Sequence, residues 1–177
     1  SEAIGIMADK VKKVTNSSGA KIELQGKNSV GIYGKESTIE NSGDVLLTST
    51  DNDSKSVGIL ADKGTAVNKG KIKVDGGKSA GMLGLNGADV KNDANGKITM
   101  TGDESAGMYA ENAAPSNAGT IEIKSSKSAG MFVKVSDSVS RNIENTGTIK
   151  LEGTGKTESV GMYAEIGSTA TGTTTLD

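Results

Sequence analysis

Four aromatic side chains recur at one fixed place in a repeated phrase, and they are the residues of this chain best suited to binding a ligand. Each lies two residues after the glycine of the phrase: Tyr33, Tyr109, Phe132 and Tyr163. If these rings point outward beside a flat column of glycines, they form an apolar strip on which a sugar ring or a partner's extended strand could lie. The alternative, which the sequence leaves open, is that the rings only stack on one another and stabilise the fold.

The single arginine of the chain marks a second candidate for ligand binding. Arg141 stands near the end of residues 134–142, a stretch that is longer than the matching stretches of the other repeats. Insertions at the corners of repeat proteins often carry recognition, because corners face solvent and tolerate variation. The simpler interpretation is a corner of irregular length that binds nothing.

Residue types that most enzymes need are scarce. The chain has no histidine and no cysteine, and its carboxylates fall at non-corresponding positions of the repeats. A β-helical polysaccharide lyase or hydrolase needs carboxylates that converge on the sugar, commonly with a His, Lys or Arg. The stretch from Asp51 to Asp53 resembles the start of a calcium loop, but Ser56 and Asp62 stand where such a loop has Gly and Glu. We therefore expect no catalytic residue, no metal and no cofactor.

The aromatic positions belong to a phrase that occurs seven times, and its period indicates the fold. The central glycines lie 23 to 31 residues apart, at Gly5, Gly31, Gly58, Gly81, Gly107, Gly130 and Gly161. A period in this range is typical of a stacked repeat array, not of a globular domain with one central core. The longer steps differ from the shortest ones by insertions at the corners, where a solenoid tolerates them.

The segments between the corners are predicted to be strands, because each is short, rich in Val, Ile, Met and Thr, and alternates with period two. We predict an all-β fold, a single-stranded parallel β-helix solenoid of about six to seven coils of 23–31 residues. Right-handed winding follows the general bias of parallel crossovers. In the glycine-bearing strand, we expect Ile4, Ile6, Ala8 and their counterparts to face inward. The serine, the glycine and the large residue of each phrase are expected to face outward.

A second phrase, an asparagine followed by a glycine turn, lies between copies of the first. Its asparagines are Asn16, Asn41, Asn68, Asn92, Asn117 and Asn145. Two explanations are open: the stacked amides form a ladder that bonds to the backbone, or Asn merely tolerates a left-handed turn geometry. The strand after each turn is predicted to bury alternate apolar residues, from Ile72 and Val74 to Ile149 and Leu151.

Composition limits the classes of partner. With 20 basic and 22 acidic residues the net charge is −2, so the chain has no electrostatic footprint for nucleic acid or for an anionic membrane. Without cysteine, stability comes from stacking and not from disulfides. The chain starts just ahead of a strand and ends before a seventh Asn-Gly turn. We therefore expect residues 1–177 to be one β-helix repeat segment of a much longer array.

Two phrases carry a family resemblance: Ser-Ala-Gly-Met-Tyr-Ala at residues 105–110 and Asn-Ala-Gly-Thr-Ile-Glu-Ile at residues 117–123. They resemble the passenger repeats of very large fusobacterial autotransporter adhesins, which are type V secreted outer-membrane proteins, and the resemblance covers residues 4–164. It implies a right-handed β-helix passenger on the surface of a Gram-negative bacterium. It also implies adhesion to other bacteria or host cells through a surface protein or glycan. The shared motif is structural and brings no binding residue with it.

Three functional hypotheses follow. The leading one is a non-enzymatic segment of a surface adhesin that forms a rigid stalk and platform. The alternative is a purely structural spacer that holds a distal binding tip away from the membrane. A β-helical polysaccharide-degrading enzyme is disfavoured by the scattered carboxylates. We expect no nucleic-acid partner and no direct membrane contact in this segment. End-to-end self-association is expected, because unpaired strand edges at exposed coil ends seek partners.

Overall fold

The computed structural model describes residues 2–137, 139, 141–152, 158–166 and 174–176. In these residues the regular secondary structure consists of β-strands only. The strands form three sheets. The first sheet contains β1 (Ile4–Asp9), β4 (Val30–Lys35), β7 (Val57–Asp62), β10 (Ala80–Leu85), β13 (Ala106–Glu111), β16 (Ala129–Val135) and β19 (Val160–Ile166). The second contains β2 (Val14–Asn16), β5 (Thr38–Asn41), β8 (Thr65–Asn68), β11 (Asp89–Asn92), β14 (Ala114–Asn117), β17 (Arg141–Asn145) and β20 (Thr174–Leu176). The third contains β3 (Lys21–Leu24), β6 (Asp44–Leu47), β9 (Lys71–Val74), β12 (Lys97–Met100), β15 (Thr120–Ile123) and β18 (Thr148–Leu151).

Each coil contributes one strand to each sheet, and strands of successive coils pair in parallel. In the first sheet, Met82 of β10 is paired with Ile59 of β7 on one side and with Met108 of β13 on the other. The chain is therefore a parallel β-helix solenoid of right-handed type with about six turns, as the repeat period predicted. Like residues stack on like at a strand spacing of about 4.8 Å.

The core is a set of apolar columns inside the coils. Met82, Met108 and Met131 stack in one column and are fully buried, and the predicted core positions of β9, β12 and β15 are buried as well. Each buried CH₂ contributes about 0.8 kcal/mol, so a coil is stabilised mainly by the coils above and below it. Three predicted core residues are exposed at the ends of the stack: Ile4 on β1, Leu151 on β18 and Val160 on β19. Leu151 lies on an edge strand, whereas Ile4 and Val160 also occupy the position before the repeat glycine.

The predicted orientation of the glycine-bearing strand is wrong in its first half. Ser29 and Gly31 face the interior: Ser29 is fully buried, and a Cβ on Gly31 would overlap the buried side chain of Val45. Ile32 is also fully buried, so two successive residues point inward and the strand alternation is interrupted at the glycine. The residue between Ser and Gly faces outward instead, which is why Val57 and Val160 lie on the surface.

The asparagines form the predicted ladder. The side-chain Nδ2 of Asn41 donates to Oδ1 of Asn68 at 2.8 Å, and Asn68 donates in the same way to Asn92 at 2.8 Å. Asn41 Nδ2 also bonds the backbone carbonyl of Gly43 at 3.2 Å. None of the six asparagines has a positive φ, so the alternative based on left-handed geometry is wrong.

A second polar ladder was not anticipated, because the repeat serines were placed outside. The backbone N–H of Ser56 donates to Oγ of Ser79 at 3.0 Å, and Ser79 N–H donates to Oγ of Ser105 at 3.1 Å. Ser79 Oγ in turn donates to the carbonyl of Gly77 at 2.9 Å. These bonds satisfy buried polar groups at the corner where each coil enters the first sheet.

Candidate binding groove

The four aromatic residues lie in one column on the outer face of the first sheet. The pairing register places Tyr109 beside Phe132, and Phe132 beside Tyr163. Tyr33 occupies the same column on β4, but Leu60 and Leu83 separate it from the other three. The structure therefore brings together three of the four predicted aromatic residues.

The three rings stack face to face. The ring centroids of Tyr109 and Phe132 are 5.2 Å apart with planes 3° from parallel, and those of Phe132 and Tyr163 are 5.1 Å apart at 30°. Both faces of Phe132 are thus covered, and what faces the groove is mainly the edges of the rings. Burial, followed by the Glu111 and Glu165 carboxylates, raises the pKa of the Tyr109 hydroxyl, which stays protonated and able to donate a hydrogen bond at neutral pH.

The aromatic column borders an open groove of about 840 Å³ that runs along the outer face. Its floor beside the rings is made by Ala80, Ala106 and Ala129, with Val57 and Val160 at the two ends. This corrects the expected flat column of glycines, because the repeat glycines face the interior. The small side chains of Ala80, Ala106 and Ala129 leave room for a ligand in the groove, whereas the repeat glycines do not border it.

Two columns of charged residues bound the groove. The first rim is the corner that precedes each strand and contains Lys55, Lys78, Glu104, Lys127 and Glu158. All five have φ between 51° and 62°, a left-handed geometry that is unfavourable for these residue types and is held by the stacked corners. The second rim is the sixth residue of each strand and contains Leu85, Glu111, Lys134 and Glu165.

Sequence reasoning did not find the rims. Their signal was present in the sequence as a Lys or Glu immediately before the repeat serine, at Lys55, Lys78, Glu104, Lys127 and Glu158. A charged corner of a repeat protein is usually a solvated loop, so this pattern does not by itself indicate a binding surface. Only the direction of the neighbouring floor residue shows that these corners border a concave surface.

Arg141 lies outside the groove, on β17 of the second sheet, and its guanidinium is already paired. Both of its terminal nitrogens bond the carboxylate of Asp137, Nη2 to Oδ2 at 2.6 Å, and Nη1 also bonds the carbonyl of Val139 at 2.9 Å. Arg141 is 8% exposed, and its side chain holds the pKa of Asp137 below its usual range. These contacts hold the corner that precedes β17 in place. A ligand-binding role for Arg141 stays an untested prediction.

The stretch that resembles a calcium loop is neutralised by lysines. Lys27 Nζ lies 2.6 Å from Asp51, while Lys55 and Lys78 lie 3.1 and 3.2 Å from Asp53. These contacts lower the pKa of both carboxyls. Among the described residues no group of three or more His, Cys, Asp or Glu side chains is arranged to hold a metal ion. No helix that could cross a membrane occurs in the same part of the chain.

A comparison with protein families shows which family the repeats belong to. The model of a family described as the BigA third pectate lyase-like domain matches residues 1–90 and residues 81–177, so that the two matches together span the whole chain. The match is consistent with passenger-type repeats of an adhesin-like bacterial surface protein, which the sequence resembles. No curated protein and no solved structure is similar enough to count as a match.

Proposed function

Because the chain belongs to the family of the BigA third pectate lyase-like domain, we propose that it is a non-enzymatic segment of a bacterial surface adhesin. In this proposal the β-helix is a rigid stalk and platform in the passenger of a type V autotransporter. It is displayed on the outer surface of a Gram-negative bacterium and attaches the cell to other bacteria or to host cells. The partner is a cell-surface protein or glycan, and neither nucleic acid nor the membrane is contacted by this segment.

The observation that carries the proposal is the open groove beside the aromatic column. Partly exposed aromatic side chains on a rigid scaffold supply contact area at a small cost in conformational entropy. Tyr163 is 45% exposed, and a concave apolar strip of this kind, rimmed by charges, is a common form of interaction site. A spacer that binds nothing has no need of such a surface.

The titration behaviour of the carboxylates supports a role without catalysis. A general acid in a glycosidase has its pKa raised by burial or by a like charge. Here each carboxyl group with a resolved shift has a lowered pKa, and a Lys or Arg partner is the largest cause: Glu40, Asp51, Asp53, Glu122 and Asp137. Such groups are structural partners of cations and are poor proton donors.

The test is attachment of the purified chain. Beads coated with residues 1–177 are expected to bind bacterial or host cells, or defined sugars on a glycan array. A chain that binds none of these is a spacer.

The aromatic column is expected to be required for this attachment. Replacement of Tyr109, Phe132 and Tyr163 by Ser should abolish capture, because it removes the apolar wall of the groove. The same three positions changed to Leu, the residue that already stands at position 83, keep the packing and should still reduce capture.

A matched control uses half-buried outward residues on the other two sheets. Leu46→Ser with Val67→Ser removes outward apolar side chains from β6 and β8 and should leave capture intact. Circular dichroism shows whether each variant keeps its strands. Full capture by folded Ser and Leu variants would show that the groove is not the binding surface.

A further inference from the structure

The stacking of the rings bears on which partner the groove accepts. A sugar packs its apolar face flat on the open face of an aromatic ring, where the ring's π electrons lie. In the groove, Phe132 is covered on both faces by Tyr109 and Tyr163, with centroids 5.2 and 5.1 Å away. The column therefore presents ring edges and an alanine floor. This is a surface suited to the side chains of another protein, and it disfavours a row of stacked sugars.

The charges of the first rim indicate what that protein is. From Lys78 onward the rim residues alternate in sign, in the order Lys78, Glu104, Lys127, Glu158, whereas Lys55 at the end of the rim repeats the positive charge of Lys78. An alternating column of even length is complementary to its own reversed copy. If a second molecule is turned by 180° about an axis that crosses the groove midway between β13 and β16, Glu104 faces Lys127 twice, and Lys78 faces Glu158 twice.

The second rim agrees with this arrangement. The same rotation places Glu111 opposite Lys134, again twice, and sets Leu85 against Glu165, a neutral pairing. Part of this charge is already used within one chain, since Lys78 Nζ lies 3.2 Å from Asp53 and Lys127 Nζ lies 4.0 Å from Glu158. The contact of Lys127 is the longer of the two, so Lys127 is the lysine better able to meet Glu104 of the second copy, and the central Glu104–Lys127 pairs carry most of the complementarity.

A parallel pairing of two copies is disfavoured by the same residues. Turning the second copy about the long axis places the first rim against the second rim of the same coil. Glu104 then meets Glu111, Lys127 meets Lys134, and Glu158 meets Glu165. Each of these three like-charge contacts occurs twice, and opposed like charges discriminate strongly against an arrangement.

We propose that the groove is a self-association surface, in which two copies of this chain bind face to face in antiparallel orientation. The inference rests on the proposed adhesive function and specifies its partner, which is a second copy of the same chain. Two rods that project from opposite cells meet in antiparallel orientation, so the contact would join one bacterium to another that displays the same protein. Rods on a single cell run parallel and are kept apart by the like charges.

The first experiment measures dimerisation by sedimentation over a range of concentrations. The chain is expected to form a salt-sensitive dimer. Glu104→Lys and Lys127→Glu should each weaken it on the order of tenfold, since each converts two symmetric attractions into repulsions. The double variant exchanges the two charges and should restore dimerisation.

The matched controls are Glu144→Lys and Lys91→Glu, exposed residues of the second sheet that make the same changes in net charge. Neither should weaken the dimer. A chain that stays monomeric overturns the proposal, as does a dimer that responds equally to the groove and control variants. Oligomers that grow end to end and respond to none of the groove variants also overturn it.

Orientation is tested with cysteines, of which the chain has none. Leu85→Cys and Glu165→Cys lie opposite one another in the antiparallel pair, and neither removes one of the complementary charges. A short bismaleimide reagent should link a mixture of the two variants. It should not link either variant alone, because like positions are then three coils, or about 14 Å, apart along the axis. Linkage of like positions with no linkage in the mixture overturns the antiparallel arrangement.

Cell binding separates this inference from the proposed function. Beads coated with the chain are mixed with cells that display it and with cells that lack it. Preferential binding to displaying cells supports self-recognition. A monomeric chain that binds non-displaying cells overturns self-recognition and leaves the adhesive function standing. A chain that dimerises in solution but binds neither cell type overturns the adhesive function alone.

Discussion

At the scale of single residues, stability depends on repeated contacts that leave little room for a different side chain. The buried asparagines illustrate this, because each amide serves as donor to the next coil and as acceptor from the previous one. A missing amide leaves a neighbour's polar atom without its partner in the core. Such a loss costs more than the bond itself contributed.

Asn68→Ala is expected to lower the free energy of unfolding by about 2 to 3 kcal/mol, because it leaves Oδ1 of Asn92 unpaired and removes the acceptor of Asn41. For a chain of this size that corresponds to a fall in the melting temperature of roughly 4 to 12 °C. Thermal unfolding followed by circular dichroism measures it. Asn95→Ala, at an exposed turn, is the control, and equal effects of the two would show that the ladder contributes nothing.

The repeat glycine offers a matched pair of substitutions. A Cβ on Gly81 would lie 2.5 Å from Cγ2 of Ile98 and 2.6 Å from the carbonyl oxygen of Gly107, whereas a Cβ on Gly161 meets nothing within 4 Å. Gly81→Ala should destabilise by about 1 to 3 kcal/mol through overpacking. Gly161→Ala should stay within about 0.5 kcal/mol of the wild type in urea denaturation. The steric explanation fails if both alanines cost the same.

At the scale of strands and sheets, the interruption at the glycine decides what each face presents. The serine, the glycine and the next residue all turn inward, and the position between serine and glycine turns outward. The first sheet therefore has a polar ladder on its inner side and an alanine floor on its outer side. The third sheet keeps simple alternation, and its outer face carries the lysines and glutamates of successive coils.

Glu122 of β15 shows how the outer charges affect stability. Its carboxylate lies 2.7 Å from Lys97 Nζ and 3.6 Å from Lys124 Nζ, and the hydrogen bond from Lys97 is the main reason why its pKa is lowered. A carboxyl group with a lowered folded-state pKa stabilises the fold above its ordinary value of 4.5. That stabilisation is lost as the pH falls through the folded-state pKa.

The free energy of unfolding of the wild type should therefore decline more steeply below pH 4.5 than that of Glu122→Gln. Urea denaturation at a series of acidic pH values measures both slopes. Glu144→Gln, at an exposed position of β17, controls for the removal of a carboxylate and should keep the wild-type slope. Identical pH profiles for wild type and Glu122→Gln would contradict the contribution of the Lys97 contact.

At the scale of the whole molecule, the solenoid is a stack in which each coil contacts only its neighbours. Stability in such arrays is approximately a sum of coil and interface contributions. Ends differ from the middle, as the exposed Ile4, Met7 and Leu151 show. End-to-end association through the outer edges of β1, β2 and β3, which have no paired strand in the described chain, remains a proposal beside the face-to-face contact.

Deletion of one complete coil is expected to preserve the fold. Removing residues 80–105 joins Ser79 to Ala106 and restores the serine–alanine–glycine phrase in register, so the melting temperature should fall only modestly. Removing residues 80–92 deletes one strand from each of two sheets, and that chain should lose cooperative unfolding. Circular dichroism and calorimetry compare the two. Equal damage from both deletions would contradict the additivity of coils.

The architecture could be derived from the amino-acid sequence alone, because coils that stack like residues on like residues repeat the same pattern at a fixed period along the chain. The spacing of Gly31, Gly58 and Gly81 was enough to predict the coils and the strands between corners. It placed the asparagines and the aromatic residues in register, but it left open whether the amides form a ladder and whether the rings face outward. These features depend on neighbours at a fixed separation, which a one-dimensional pattern can represent.

The direction in which the residues around each glycine point, and the groove that they form, could be seen only in the three-dimensional structure. The inward turn of Ser29 and Gly31 depends on contacts with Val45 and with the next coil, and simple alternation does not contain them. The alanine floor and the two charged rims arise in the same way, from the stacking of side chains that are far apart along the chain. The pairing of Arg141 with Asp137 is local instead, because the two residues are four positions apart in one corner. The period of the sequence specifies which residues stack on one another. Whether a side chain points inward or outward depends on the space that the neighbouring coils leave for it.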